Sequence, residues 1–170
     1  MKKNLVLFLA FVLVSFFPSF VAAAVVPLAD ANVEITVPDG WSQESKEAAV
    51  VIASPDKTMS VVFLAIPGDS DGKTFDAVDK AVEKELGTVK WEKDGEGVPE
   101  EINGMKGEIY NGTAKEGKIQ VECIWLESAP GKNLYIYWFD TADSEKKYQK
   151  DIDVIVKGLK PMAKQEEKKK

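Results

Sequence analysis

The chain has 170 residues, 22 of them basic against 28 acidic, for a net charge of −6. Every basic residue is a lysine and histidine is absent, so Ser-His-Asp and Cys-His catalysis and histidine-ligated metals are excluded; the single cysteine, Cys123, can form neither an internal disulfide nor a zinc site. Residues 25–163 alone hold 16 Lys against 26 Asp and Glu, which repels nucleic acid and anionic lipid, because phosphate binding uses cationic patches and the arginine fork.

Residues 1–24 have the pattern of an export signal: Lys2 and Lys3, an apolar run from Leu5 to Phe17 broken only by Ser15, then Pro18 and "VAAA". Cleavage is expected after Ala23 or Ala24, giving a periplasmic or secreted protein. The competing reading is an uncleaved inner-membrane anchor, because no charge lies between Lys3 and Asp30 and ~20 apolar residues span a bilayer. Membrane contact is expected only through such an uncleaved segment. Residues 25–163 suffice for one domain with a real core, and 164–170, with no apolar face, form a charged flexible tail.

Val33, Ile35 and Val37 alternate with polar residues, a half-buried strand closed by Pro38-Asp39-Gly40, with Trp41 directly after the turn. "AAVVIAS" and "TMSVVFLAI" read as two strands joined through the turn "PDK"; the second is apolar on both faces and is expected to be central. After "PGDSDGK", Phe75, Val78, Val82 and Leu86 make one helical stripe, with Thr74 as N-cap, Asp76 in the first turn and Gly87 as the stop. "TVKWEK" reads as a short strand and "DGEGVPEE" as a connection. A meander follows, "GMKGEIYNGT", "KIQVECIWLES" and "KNLYIYWFD", with "KEG" and "APG" as turns. Cys123, in phase with Ile119, Val121 and Trp125, is expected to be a buried small hydrophobe. Tyr148, Ile152, Ile155 and Leu159 form the face of a last helix ended by Gly158 and Pro161.

The fold class expected from this order is α+β: a mostly antiparallel sheet of about six to seven strands with helices packed on both faces. The turn at Pro38, Gly40 and Trp41, the "SPDKTMSVVFLAIP" hairpin, the mid-chain helix, the strand introduced by Asn103-Gly104 and the closing helix "YQKDIDVIVKGLKP" together resemble the Mog1/PsbP-like superfamily, which includes PsbP, Mog1 and DcrB-like bacterial envelope proteins. The resemblance spans residues about 30 to 162. It implies an α/β/α sandwich and a binding or accessory role in which the protein docks onto a partner, here an unidentified envelope protein. It carries no catalytic residues, and no cofactor is expected.

Ser-x-x-Lys occurs at Ser54–Lys57, Ser70–Lys73 and Ser144–Lys147, without the companion motifs of serine-lysine acyl enzymes, and turn and cap chemistry accounts for all three. Asp69, Asp71 and Gly72 match part of a calcium loop, but Pro67 and Val78 fall where its end carboxylates are required; an irregular Ca²⁺ site with Asp94 and Glu96 is the weaker alternative. Glu100 and Glu101 are adjacent and so point to opposite faces of a strand, which argues against a paired-carboxylate hydrolase. Asn111-Gly112-Thr113 matches a glycosylation sequon that a strand-end turn explains. Trp91, Trp125, Trp138, Tyr135, Tyr137 and Phe139 alternate within strands and read as core. Trp41, outside any strand, reads as a lid over one end of the core and as the candidate contact for a partner. The expectation is a non-enzymatic binding protein, with a small Ca²⁺-binding module and a small envelope hydrolase as alternatives.

Overall fold

A computed structural model describes residues 24–68 and 73–162, and the side chains of all of these except 73–77. The signal segment, the tail, Asp69, Asp71, Ser70 and the side-chain cap expected at Thr74 and Asp76 lie outside the described residues.

The elements in chain order are β1 (Ala24–Leu28), β2 (Val33–Val37), β3 (Ser42–Lys46), β4 (Ala49–Ala53), β5 (Ser60–Pro67), α1 (Lys73–Leu86), β6 (Lys90–Trp91), β7 (Val98–Ile102), β8 (Met105–Ala114), β9 (Ile119–Ala129), β10 (Lys132–Asp140), α2 (Ala142–Lys157) and β11 (Lys160–Pro161). The main sheet runs β3-β4-β5-β10-β9-β8-β6, with β7 also paired to β8; a small sheet runs β1-β2-β11. All the pairings are antiparallel. The architecture is thus a mostly antiparallel α+β fold, and β5 and β10, each apolar on both faces, are neighbours within it.

Against the six to seven strands expected, the described residues form eleven, with β1 and β11 as additions, and at β2, β3 and β7 the departure has a physical reason. β2 does not join the main sheet but pairs with β1 and β11. β3, "SQESK", is an edge strand whose side chains are half-buried or exposed, so it lacks the apolar alternation that marks a strand. β7, "VPEEI", contains Pro99, which an edge position tolerates because the missing N–H faces no partner. Of its residues only Ile102 is buried.

One face of the main sheet packs Val61, Phe63, Ile124, Leu126, Leu134 and Ile136 into a single buried cluster with Val33, Ile35 and Val37 of the small sheet and Tyr148, Ile152 and Ile155 of α2. On the other face Val62, Leu64, Val121, Cys123, Tyr135 and Tyr137 cluster with Val78, Val82 and Leu86 of α1. The period-two alternation of β5 and β10 sends successive side chains to these opposite clusters.

Local chemistry fixes α2. Thr141 is its N-cap, accepting from the Ser144 N–H at 3.3 Å, with Asp143 and Glu145 in the first turn complementing the helix dipole. Lys147 pairs with Asp56 in the β4–β5 turn and lies 4.9 Å over the Tyr148 ring. That ammonium, with Thr58, holds the Asp56 carboxyl far below its usual range. Helical geometry ends at Lys157, so Leu159 is buried from the segment after the helix rather than from its last turn. Asn103, left-handed at φ 51° before Gly104 at φ 83°, makes the two-residue turn between β7 and β8 and donates its amide to the carbonyls of Lys157 (2.9 Å) and Leu159 (2.6 Å). It thereby satisfies the Lys157 carbonyl, which the end of the helix leaves without a partner, and ties down the segment after it.

The Trp41 assignment as a partner contact is corrected here. The residue is 3 % exposed, its Nε1–H donates to Asp151 Oδ2 at 3.1 Å, and its ring meets Tyr148 edge-on, with centroids 5.4 Å apart. The turn before it closes through the Trp41 N–H and the Pro38 carbonyl, with Gly40 at φ 79°. The indole is spent on anchoring α2 and presents no face to a partner.

Candidate functional site

The register of the sheet places Glu108 of β8 opposite Trp125 of β9, and Trp125 opposite Tyr135 of β10, in one row on the α1 side. Tyr110 follows two residues after Glu108 and so points to the same side. α1 supplies Asp79, which accepts the Tyr135 hydroxyl at 3.2 Å, and the Tyr110 hydroxyl donates to Glu108.

The remaining wall comes from the segment between β6 and β7, which share β8 as partner. Trp91 comes down onto Gly112, where a Cβ would stand 2.8 Å from the indole. Lys93, Asp94 and Gly95 are successively left-handed, turning the chain sharply. Gly97 then lies against the sheet so closely that a Cβ would be 2.8 Å from both the Glu108 side chain and the Tyr110 ring. The result is a cavity of about 410 Å³ lined by Asp79, Trp91, Gly95, Glu108, Tyr110, Trp125 and Tyr135. No described lining residue is cationic. Tyr135 is buried at the floor, while Trp91, Tyr110, Trp125, Asp79 and Glu108 are half-buried around it.

Burial, and after it the bond to Glu108 and the charges of Glu108 and Asp79, pushes the Tyr110 phenol up to about 12. Burial foremost, with Cys123 and Asp79 adding to it, pushes Tyr135 well above its ordinary range. Both phenols therefore stay protonated near neutral pH and donate to their carboxylates. Beneath them Cys123 is 1 % exposed, and burial raises its thiol to about 12, so it is no thiolate nucleophile. The arrangement offers aromatic rings and negative charge.

The residues singled out in the sequence fall elsewhere. Asp94 and Glu96 are exposed on the segment that rims the cavity, and the described residues contain no group of three or more Cys, Asp or Glu side chains placed to hold a metal ion. Ser54 donates to Asp56 and accepts from the Met59 N–H, holding the turn in which Lys57 is left-handed at φ 60°. Ser144 belongs to the α2 cap and Lys147 pairs with Asp56. Glu100 and Glu101 are exposed on β7. Asn111-Gly112-Thr113 lies inside β8, not in a turn at its end as expected, and Asn111 Oδ1 is buried without a hydrogen-bond partner. The aromatic set read as core divides: Tyr135, Tyr137 and Trp138 are buried, whereas Trp91 and Trp125 are half-buried at the cavity. Sequence reasoning missed this site: the short turn marks the β9–β10 hairpin, but a register shift between Lys132 and Asn133, which no sequence signal marks, is what sets Trp125 opposite Tyr135.

A second polar cluster lies where β10 ends. Asp140 is 4 % exposed, its Oδ2 has no hydrogen-bond partner, and burial, then the charges of Glu145 and Glu122, push its carboxyl up to about 7. Glu122 is raised as well, by burial first and then by Glu145, against the Trp138 bond that lowers it.

No family model matches the sequence, and no curated protein matches it. Among solved structures, the cyanobacterial PsbP (CyanoP) of Synechocystis sp. PCC 6803 superposes with a TM-score of 0.61 at 10 % identity, over 88 % of this chain and 98 % of that one. PA94 from Pseudomonas aeruginosa matches with a TM-score of 0.48 at 18 % identity, over 84 % of this chain and 99 % of that one. LpqN of Mycobacterium tuberculosis, involved in cell envelope biogenesis, matches at 0.47 and 18 %, over 86 % and 90 %. The first of these likenesses establishes the PsbP-like fold.

Proposed function

We propose that this chain puts the Mog1/PsbP-like fold to use as an exported, non-enzymatic binding protein of the bacterial envelope, with the aromatic cavity as its working site. The observation that carries the reading is the cavity itself: about 410 Å³, four aromatic side chains and two carboxylates held in place by tyrosine hydroxyls. A half-open, mostly aromatic pocket with a few fixed polar groups is the usual form of a small-molecule site. Export rests on the basic start, apolar run and small-residue end of residues 1–24. Docking through a flat apolar face is the less favoured route, because the exposed large hydrophobic side chains among the described residues, Val25, Val98 and Val154, sit on three separate elements.

The test is a ligand-observed NMR screen of the purified protein against ammonium compounds, neutral sugars, amino acids, carboxylic acids and short peptides, repeated with Trp125→Ala. One class is expected to bind the native protein and to lose its signal in the variant. Binding that ignores the variant, binding by no class, or turnover of any compound contradicts the proposal. Fractionation of cells making the tagged chain should recover it from the envelope; recovery from the cytoplasm alone contradicts export.

A further inference from the structure

We infer that the cavity is built for an organic cation, the quaternary or alkylated ammonium head of a small molecule; the inference rests on the cavity being the working site. Three classes of ligand are distinguished by the lining. Anions are disfavoured, because Asp79 and Glu108 put two negative charges on the walls and no described lining residue is cationic. Neutral polyols need several donors as well as acceptors; both phenolic hydrogens are already committed, Tyr135 to Asp79 and Tyr110 to Glu108, and the other side-chain donors of the described lining are the two indole N–H groups alone. An alkylated ammonium needs only aromatic rings and negative charge, and the lining supplies both.

The aromatic lining agrees with the charge. Trp91 and Trp125 offer the ring type with the strongest attraction for cations, Tyr110 and Tyr135 the next, and partial desolvation strengthens the contact. The two phenol–carboxylate bonds hold the charges in place before any ligand arrives, so little ordering is left to be done on binding. Inorganic ions fit less well: small metal cations seek several oxygen ligands, and the described residues form no such cluster. The volume of about 410 Å³ lies at the lower end of small-molecule sites, about 300–1,000 Å³, enough for an ammonium head and a short tail.

The experiment is calorimetric titration of the purified protein with tetramethylammonium, choline and 3,3-dimethylbutan-1-ol, the uncharged carbon isostere of choline, alongside a neutral disaccharide. Choline is expected to bind at least about tenfold more tightly than its isostere. Asp79→Asn and Glu108→Gln keep the side-chain volume and an oxygen to accept the tyrosine hydroxyl, and each is expected to weaken choline by about tenfold while leaving the isostere unchanged. Equal or tighter binding of the isostere, or choline binding indifferent to both variants, overturns the inference. Binding of the disaccharide without either ammonium overturns it while leaving the binding-protein reading in place; silence from every class in the wider screen removes both.

Discussion

On one face of the main sheet Trp41 and Trp138 are 3 % and 6 % exposed, each with its indole N–H bonded to a carboxylate. On the opposite face Trp91 and Trp125 stand half-buried around a cavity of about 410 Å³. The strands beneath are the same, and their side chains are apolar toward both sides. The difference comes from the covers. The first face carries a three-stranded sheet and a helix of 16 residues; the second has α1 and the short segment after β6, held close by Gly97. A doubly apolar strand therefore tells that both sides are covered but not how completely. Function is sought on the side where covering stops short.

The sharpest way to break this contrast is to truncate a tryptophan on the closed side. Trp41→Ala deletes a buried indole, its bond to Asp151 and its contact with Tyr148, and urea unfolding is expected to show a loss of about 3–5 kcal/mol. An effect below about 1 kcal/mol would mean that the closed face is not closed.

Next in size is a pH effect at the margin of the same face. Asp140 titrates near 7 when folded and near 3.8 when unfolded. Below about pH 4 the carboxyl is protonated in both states; between there and about 7 only the unfolded chain ionises it freely, so its contribution to stability falls as pH rises through that window. Each pH unit between the two values is worth about 1.4 kcal/mol, and screening by nearby solvent reduces the total to about 2 kcal/mol. Asp140→Asn should therefore stabilise the protein by about 2 kcal/mol at pH 8 and much less at pH 4. A gain of equal size at both pH values would contradict this assignment.

Asn103→Ala removes two bonds to the carbonyls at the end of α2 and places alanine at φ 51°, for an expected loss of about 1–2 kcal/mol. Asn103→Gly, which relieves the backbone, should recover part of it. The smallest effect is expected on the open side: Trp125→Ala, at a half-buried position, should cost less than about 1 kcal/mol in urea unfolding while abolishing ligand signals. A loss as large as that of Trp41→Ala would make Trp125 core and erase the distinction.

Much of this frame was legible in the sequence. The two-sided apolar run of β5 placed it at the centre of the sheet, the short turns marked the meander, and the stripe from Tyr148 to Ile155 marked the face of α2. What escaped were elements whose stability is borrowed from neighbours. β3 and β7 are polar edge strands, recognisable only once β4 and β8 are in place. β1 adjoins an apolar run that reads as a leader, which hides the alternation of Val26 and Leu28. The cavity was harder still, because period-two aromatics look alike whether a cover seals them or stops short. The lid reading of Trp41 agrees with its place in the core, but the partner-contact reading fails for the converse reason: a turn suggests exposure, and only α2 crossing above it, through Asp151 and Tyr148, removes that exposure.

The four tryptophans, two on each face, allow one direct measurement: the indole N–H signals of the purified protein followed by NMR while choline is added. The account predicts that the Trp91 and Trp125 signals move together along one saturable curve and that those of Trp41 and Trp138 stay still. Movement of Trp41 or Trp138, or no movement of Trp91 and Trp125 at saturating choline, would contradict it.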